Sequence, residues 1–216
     1  RVVSFSLPGH GNSSVPEEND AHSIEKYAEI LLELMRQIKV TSCIWIGNSM
    51  GGVLGYEVAR RQPDLIQHLI TNGTAPVLEY GKSMLAFIRL MDRTLIKLLG
   101  YEKYISIAVN ASLKDTEKQQ KLKKLFLAAD PKTIIESHQM LGSYNYLDVL
   151  KSSKTKITII KTPNDKDINK AIQTYRDLLL SLKNVRVMEQ EVGGHIFNIE
   201  YDQLYNQTLN QILETA

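Results

Sequence analysis

The chain has 216 residues, of which 43% are hydrophobic and 23% are charged, and it carries a formal net charge of +2. This length and composition suit one globular domain with room for an inserted subdomain, and they exclude a disordered chain. Because the net charge is small and no run reaches the ~18 apolar residues of a membrane span, we expect neither a nucleic-acid partner nor a transmembrane helix.

The chain opens with a short apolar run, residues 2–7, which predicts a β-strand. The strand ends in Pro-Gly-His-Gly at residues 8–11, a dense turn signal, and we expect a structural role in that turn for His10. From Ser23 onward, apolar residues recur at i, i+3, i+4 and i+7. This spacing predicts an amphipathic helix that packs on the core, with Ser23 as its N-cap.

The next apolar run, residues 43–46, stops abruptly at a Gly-x-Ser-x-Gly sequence and passes directly into helix-compatible sequence. This arrangement predicts a strand, a sharp turn carrying Ser49, and a helix. Gly47 and Gly51 are expected to provide space where the strand and helix backbones nearly touch. Because helix N-termini favour negative charge, the Met50 backbone N–H is the expected donor to an oxyanion.

The number of cysteines and the first residues of the chain indicate the cellular compartment. Cys43 is the only cysteine, so a disulfide framework is excluded, and its place in an apolar run predicts a buried thiol. The first residues do not match a signal peptide. We therefore expect a cytoplasmic protein, and the sequence leaves its oligomeric state open.

Residues 68–72 predict another strand, so strands and helices alternate as in a parallel sheet with crossover helices. From residue 77 to residue 151 this rhythm breaks, and no convincing strand is present. Three helices are predicted there, over residues 84–99, 117–128 and 131–141. The apolar residues of the first of these helices either line a substrate pocket or belong to ordinary core: Met84, Leu85, Phe87, Ile88 and Met91.

The sheet is predicted to resume at residues 156–161, followed by a Thr-Pro-Asn-Asp loop that ends at Asp165. A helix over 168–182 and a strand over 185–190 come next. His195 then lies in a glycine-hinged loop before a final helix that runs from about 202 to 215. We expect a division into a core region 1–76, a helical insertion 77–151 and a second core region 152–216.

The Gly-x-Ser-x-Gly elbow and the Pro-Gly-His-Gly turn resemble those of the α/β-hydrolase superfamily, in particular its capped serine esterases. The resemblance implies an α/β fold with a mostly parallel sheet, flanking helices and a helical cap inserted after the third visible strand. It also implies a triad in which Ser49 is the nucleophile, His195 the base and Asp165 the acid. Asp167 remains the alternative acid, because Pro163 leaves the register of the loop uncertain.

The activity implied by the resemblance is that of a carboxylesterase-like serine hydrolase, which cleaves an ester or related acyl bond of a small apolar substrate through an acyl-enzyme. Such a mechanism needs no metal and no organic cofactor. Two alternatives remain open at this point. The first alternative is a binding protein of the same fold without hydrolytic activity. The second is an acyltransferase or a C–C hydrolase that uses the same triad.

Members of this superfamily carry about three further strands before the Pro-Gly-His-Gly turn, and a His-Gly segment whose backbone supplies the second oxyanion donor. The sequence of this chain contains neither feature. We therefore expect that the 216 residues are part of a longer protein, or that another segment fills the place of the absent strands.

Overall fold

A computed structural model describes residues 1–15 and 22–214 of the chain. They separate into two compact units. The helical unit consists of Arg1–Tyr27 and Tyr80–Ser143, and the sheet unit consists of Ala28–Glu79 and Tyr144–Ala216. No helix among the described residues is long and apolar enough to cross a membrane.

The described elements follow one another along the chain in this order: α1 Ile24–Gln37, β1 Cys43–Asn48, α2 Met50–Arg61, β2 Ile66–Asn72, β3 Val77–Glu79, α3 Lys82–Leu99, α4 Tyr101–Ser112, α5 Thr116–Leu127, α6 Pro131–Leu141, β4 Ser143–Asn145, α7 Leu147–Ser152, β5 Lys156–Lys161, α8 Lys166–Thr174, α9 Arg176–Ser181, β6 Val185–Glu189, α10 Phe197–Glu200 and α11 Asp202–Glu214. The expected α/β fold with a mostly parallel sheet and flanking helices is confirmed. The expected helical insertion is present as α3 to α6.

Four parallel strands form the sheet of the sheet unit, in the spatial order β1-β2-β5-β6. The register places Asn48 opposite Asn72, and Asn72 opposite Ile160. The carboxyl ends of three neighbouring strands therefore meet at one edge of the sheet. In open parallel sheets this edge is where ligands and reacting groups are found.

The central strands β2 and β5 are buried along almost their whole length. Strands covered on both faces are rich in Ile, Val and Leu, and β5 has this composition, with Ile157, Ile159 and Ile160 buried. One buried cluster joins β2 and β5 to the last two helices of the chain. It consists of Ile70, Ile160, Phe197, Tyr205 and Ile212.

In the helical unit, a buried carboxylate links three helices. Asp92 of α3 accepts a hydrogen bond from the Tyr104 hydroxyl of α4 at 2.8 Å, and its other oxygen lies 2.8 Å from His138 Nδ1 of α6. Asp92 is only 2% exposed. Because an unpaired buried carboxylate is strongly unfavourable, these two partners account for its presence inside the unit.

The strand predicted at residues 2–7 is wrong, because the backbone of these residues does not form a strand, and Val2 is 97% exposed. An apolar run becomes a strand only where a neighbour accepts its backbone hydrogen bonds. The expectation of no strand between 77 and 151 is also wrong, since β3 and β4 pair with each other. Each has three residues, too few to show a period in sequence.

Three smaller expectations also differ from the structure. The helix predicted over 168–182 is two helices, α8 and α9, which are separated at Tyr175. Helices α4, α7 and α10 were not predicted. Cys43 is partly exposed rather than buried, and partial burial raises the pKa of its thiol.

The apolar residues of α3 do not form ordinary core. Met84, Phe87 and Met91 are exposed, whereas Leu85 and Ile88 are partly buried. The stripe has the helical spacing that core residues have, so sequence alone does not separate these two environments.

Candidate active site

Ser49 lies between the last residue of β1 and the first residue of α2, with φ 50° and ψ −117°. A positive φ is uncommon for a residue with a side chain and costs on the order of 1–3 kcal/mol. Backbone hydrogen bonds hold this conformation: Ser49 N donates to Asn72 O at 2.9 Å, and Gly52 N donates to Ser49 O at 2.9 Å. The sharp turn predicted from the sequence is therefore present.

The space at this turn comes from Gly47 and Gly52. A Cβ at Gly47 would lie 2.3 Å from the carbonyl carbon and oxygen of Gly51, and a Cβ at Gly52 would lie 2.4 Å from Thr74 Oγ1. A Cβ at Gly51 would meet no atom within 4 Å. The expectation that Gly51 must be glycine to provide space is wrong, because its Cβ direction points away from the strand.

His195 lies in the loop after β6, close to Gly193, whose φ is 100°. His195 Nε2 lies 2.9 Å from Ser49 Oγ, and His195 Nδ1 lies 2.9 Å from Asp165 Oδ2. An ionised carboxylate only accepts hydrogen bonds, so Nδ1 carries the proton and donates it to Asp165. Nε2 is then free to accept the hydrogen bond of the Ser49 hydroxyl.

Asp165 precedes α8 and its side chain is 8% exposed, whereas Asp167 is exposed in the first turn of that helix. Helix geometry turns residues two apart to different sides. The structure thus places Asp165 at hydrogen-bond distance from the imidazole, and Asp167 on the solvent side of α8.

The loops that carry Asp165 and His195 are tied to each other. The Thr162 hydroxyl donates to Gly194 O at 3.0 Å, and Asn164 N donates to Gly193 O at 3.1 Å. Gly194 N in turn donates to Glu200 Oε2 at 2.8 Å. These bonds join the loop after β5 to the loop after β6, so each loop restrains the position of the other.

Met50 is the first residue of α2. The first N–H groups of an α-helix have no acceptor within the helix, and they carry the positive end of its dipole. The Met50 N–H, next to Ser49 in the chain, is therefore suited to receive negative charge that develops close to Ser49 Oγ.

His10 belongs to the turn predicted for it, in the helical unit. Its Nδ1 lies 3.1 Å from Pro8 O, so that nitrogen donates to a carbonyl two residues away. The adjacent Gly9 has a φ of 74°, and its carbonyl accepts a hydrogen bond from Asp130 N at 3.0 Å. The His10 contact is thus local to the turn, whereas the Gly9 contact joins the turn to Asp130, the residue before α6.

Sequence reasoning did not single out Asn72 and Thr74. Asn72 is the last residue of β2, and its side-chain Nδ2 donates to His195 O at 3.2 Å. The Thr74 hydroxyl donates to Ser49 O at 2.8 Å. One signal was available, because polar residues at the carboxyl end of a buried parallel strand lie at the edge of the sheet where sites form.

Residues 1–181 match a family model described as alpha/beta hydrolase fold. A 76-residue segment is 37% identical to the pimeloyl-[acyl-carrier protein] methyl ester esterase of Yersinia enterocolitica, and covers 35% of this chain and 27% of that protein. A 70-residue segment is 31% identical to epoxide hydrolase 3 of Xenopus tropicalis, and covers 32% of this chain and 19% of that protein. The matched segments thus span less than a third of the length of these curated relatives.

The chain also resembles solved structures. An esterase from Thermogutta terrifontis superposes with a TM-score of 0.80 over 97% of this chain and 78% of that chain, at 16% sequence identity. At this identity the likeness is one of fold. It places the arrangement of strands and helices described above among known hydrolase structures.

Proposed function

The chain belongs to the α/β-hydrolase family, and from this premise we propose that it is a serine hydrolase that cleaves an ester or a related acyl bond of a small apolar substrate. The observation that carries the proposal is the unbroken line of hydrogen bonds from Ser49 Oγ through the His195 ring to the Asp165 carboxylate. An ester is favoured as substrate because esterases are among the relatives and structural neighbours of this chain.

In the proposed acylation step, Ser49 Oγ attacks the acyl carbonyl carbon while His195 Nε2 takes the hydroxyl proton. Negative charge develops on the carbonyl oxygen, and the Met50 N–H donates to it. The bond to the leaving alcohol then breaks, and His195 returns the proton to the alcohol oxygen. The product of this step is an acyl-enzyme at Ser49.

Deacylation repeats these steps with water as the nucleophile. His195 Nε2 removes a proton from water, the resulting oxygen attacks the acyl carbon, and Ser49 Oγ leaves and regains its proton from His195. Asp165 has the same role in both halves. Its carboxylate keeps the proton on Nδ1 and stabilises the imidazolium that forms while Nε2 holds the second proton.

The test measures hydrolysis of a panel of esters with increasing acyl length by the wild-type protein, Ser49→Ala and His195→Ala. Loss of the nucleophile or the base of such a triad lowers kcat by roughly 10⁶-fold. A serine or histidine with only a local structural role would instead change stability by about 1 kcal/mol and leave kcat intact. A folded Ser49→Ala protein with wild-type turnover would contradict the proposal.

Asp165→Asn and Asp167→Asn form a matched pair for the acid. The Asp165 change replaces an acceptor by a group that favours the wrong imidazole tautomer, and we expect kcat to fall by about 10⁴-fold. Asp167 is exposed in the first turn of α8, so Asp167→Asn should leave kcat unchanged. The opposite ranking would assign the acid to Asp167.

A further inference from the structure

The last residue of β2 and the turn that follows it contact the backbones of both Ser49 and His195. Asn72 O accepts a hydrogen bond from Ser49 N at 2.9 Å, and Asn72 Nδ2 donates to His195 O at 3.2 Å. The next residue, Gly73, lies so close to His195 that a Cβ there would be 2.6 Å from His195 O. The end of β2 is therefore packed directly against the backbone of the base.

Thr74 completes this contact on the side of Ser49. Its hydroxyl lies 2.8 Å from Ser49 O and 3.1 Å from Asn72 O, and its side chain packs against Gly52. Thr74 is 1% exposed and Asn72 is 0% exposed. Both residues are thus held inside the protein and neither can contact a substrate.

The orientation of the Asn72 amide follows from its surroundings. A backbone carbonyl oxygen only accepts hydrogen bonds, so the amide atom that faces His195 O must be the NH₂ group. The same NH₂ group donates to Asn48 Oδ1 at the end of β1. The Asn72 amide nitrogen thus donates to two acceptors, one in β1 and one in the loop that carries His195.

We propose that Asn72 and Thr74 are positioning residues for the hydrolytic reaction, an inference that rests on the function proposed above. Together they hold the backbones of Ser49 and His195 at a fixed separation, which keeps Ser49 Oγ at 2.9 Å from His195 Nε2. The need arises from the loop, because His195 follows a glycine hinge and its side chain is 44% exposed. Without the contact at its carbonyl, the imidazole has fewer restraints on its distance from the nucleophile.

The test compares Asn72→Leu with Thr155→Val. Leucine has a similar volume to asparagine but donates no hydrogen bond. Thr155 is 2% exposed, and its hydroxyl donates to Ile66 O at 2.9 Å, at the opposite end of the same strand β2. The control therefore removes a buried bond to the same strand without touching the triad.

The measured quantities are kcat and KM for an ester, and the rate constant at which a fluorophosphonate labels Ser49, each per folded molecule by circular dichroism. We expect Asn72→Leu to lower kcat and the labelling rate by about 10- to 100-fold with KM little changed, as for groups that orient a functional imidazole. Thr155→Val should leave both rates at the wild-type value. Wild-type rates in folded Asn72→Leu would overturn the inference.

Thr74→Val and Thr74→Ser provide a second test that does not depend on the folding of Asn72→Leu. Valine has nearly the shape of threonine without its hydroxyl, whereas serine keeps the hydroxyl. We expect Thr74→Val to slow labelling and Thr74→Ser to restore most of the rate. Equal rates in the two variants, or equal losses in Thr74→Val and Thr155→Val, would show a structural role only.

The proposed function and this inference fail in different ways. If the wild-type protein is not labelled by the fluorophosphonate, or if Ser49→Ala retains turnover, both are overturned. If labelling is lost in Ser49→Ala but unchanged in Asn72→Leu and Thr74→Val, the hydrolase proposal stands and the positioning inference is wrong.

Discussion

The close approach of β1 and α2 can be tested with Gly47→Ala and Gly51→Ala, two identical substitutions on either side of Ser49. At Gly47 the new methyl group would lie 2.3 Å from the Gly51 carbonyl, about 0.7 Å nearer than the 3.0 Å below which Cβ contacts essentially never occur. The opposing atoms are backbone, so the strand or the helix must move. Overpacking of a core costs about 1–3 kcal/mol even where side chains can adjust, so we expect a loss at or above the upper value.

At Gly51 the methyl group would meet open space within α2. Alanine is a better helix former than glycine by up to about 1 kcal/mol, so Gly51→Ala should be neutral or stabilising. The two variants should therefore differ by about 3–4 kcal/mol in the free energy of unfolding.

Urea unfolding followed by circular dichroism measures this difference. With a slope of about 1–3 kcal/mol per molar urea, a loss of 3 kcal/mol lowers the midpoint by at least about 1 M. If Gly47→Ala unfolds within a few tenths of a molar of the wild-type midpoint, or if Gly51→Ala loses as much as Gly47→Ala, the reasoning from backbone contact is refuted.

Three further predictions concern strain, pH and the helical unit. Ser49→Gly and Ser49→Ala should both be inactive. Because glycine relieves the strain of the positive φ, the free energy of unfolding of Ser49→Gly in urea should exceed that of Ser49→Ala by up to about 2 kcal/mol. Equal urea midpoints for the two variants would argue against strain. Burial, with a smaller effect of Lys156, lowers the pKa of His68, so the unfolded chain binds a proton that the native state does not. The free energy of unfolding should then fall as the pH drops below about 6.5, and His68→Gln should reduce that slope; an unchanged slope in urea titrations would contradict this. Asp92→Ala leaves the buried Tyr104 hydroxyl without its acceptor and should lower the free energy of unfolding by about 1–3 kcal/mol, measured by thermal unfolding. Asp92→Asn keeps an acceptor oxygen and should lose less stability. Equal losses in the two variants would contradict the role of that bond.

Local sequence determined the elements whose signals are short in range. The apolar run of β1, the glycine that follows it and the helix-compatible residues of α2 are adjacent in the chain, and they predicted the sharp turn at Ser49. The N-cap at Ser23 was predicted on the same basis, and its hydroxyl accepts a hydrogen bond from Lys26 N at 3.0 Å.

The sequence predicted strands less well where their formation depends on a partner strand elsewhere in the chain. Residues 2–7 have the composition of a strand but do not form one, whereas β3 and β4 are too short to be recognised from sequence and are paired. Composition records a preference for extended backbone, but hydrogen-bond partners come from elsewhere in the chain.

The sequence by itself determined which chemical groups this protein has and the turns and helices whose signals are local, such as the turn at Ser49 and the start of α1. Only the tertiary structure decided that Ser49, Asp165 and His195 meet, since 146 residues separate the hydroxyl from the imidazole and 30 separate the imidazole from the carboxylate. It likewise decided that Asn72 lies between Ser49 and His195. The physical reason is the register of the parallel strands, which brings their carboxyl ends to one edge, a relation between distant segments that no local pattern contains.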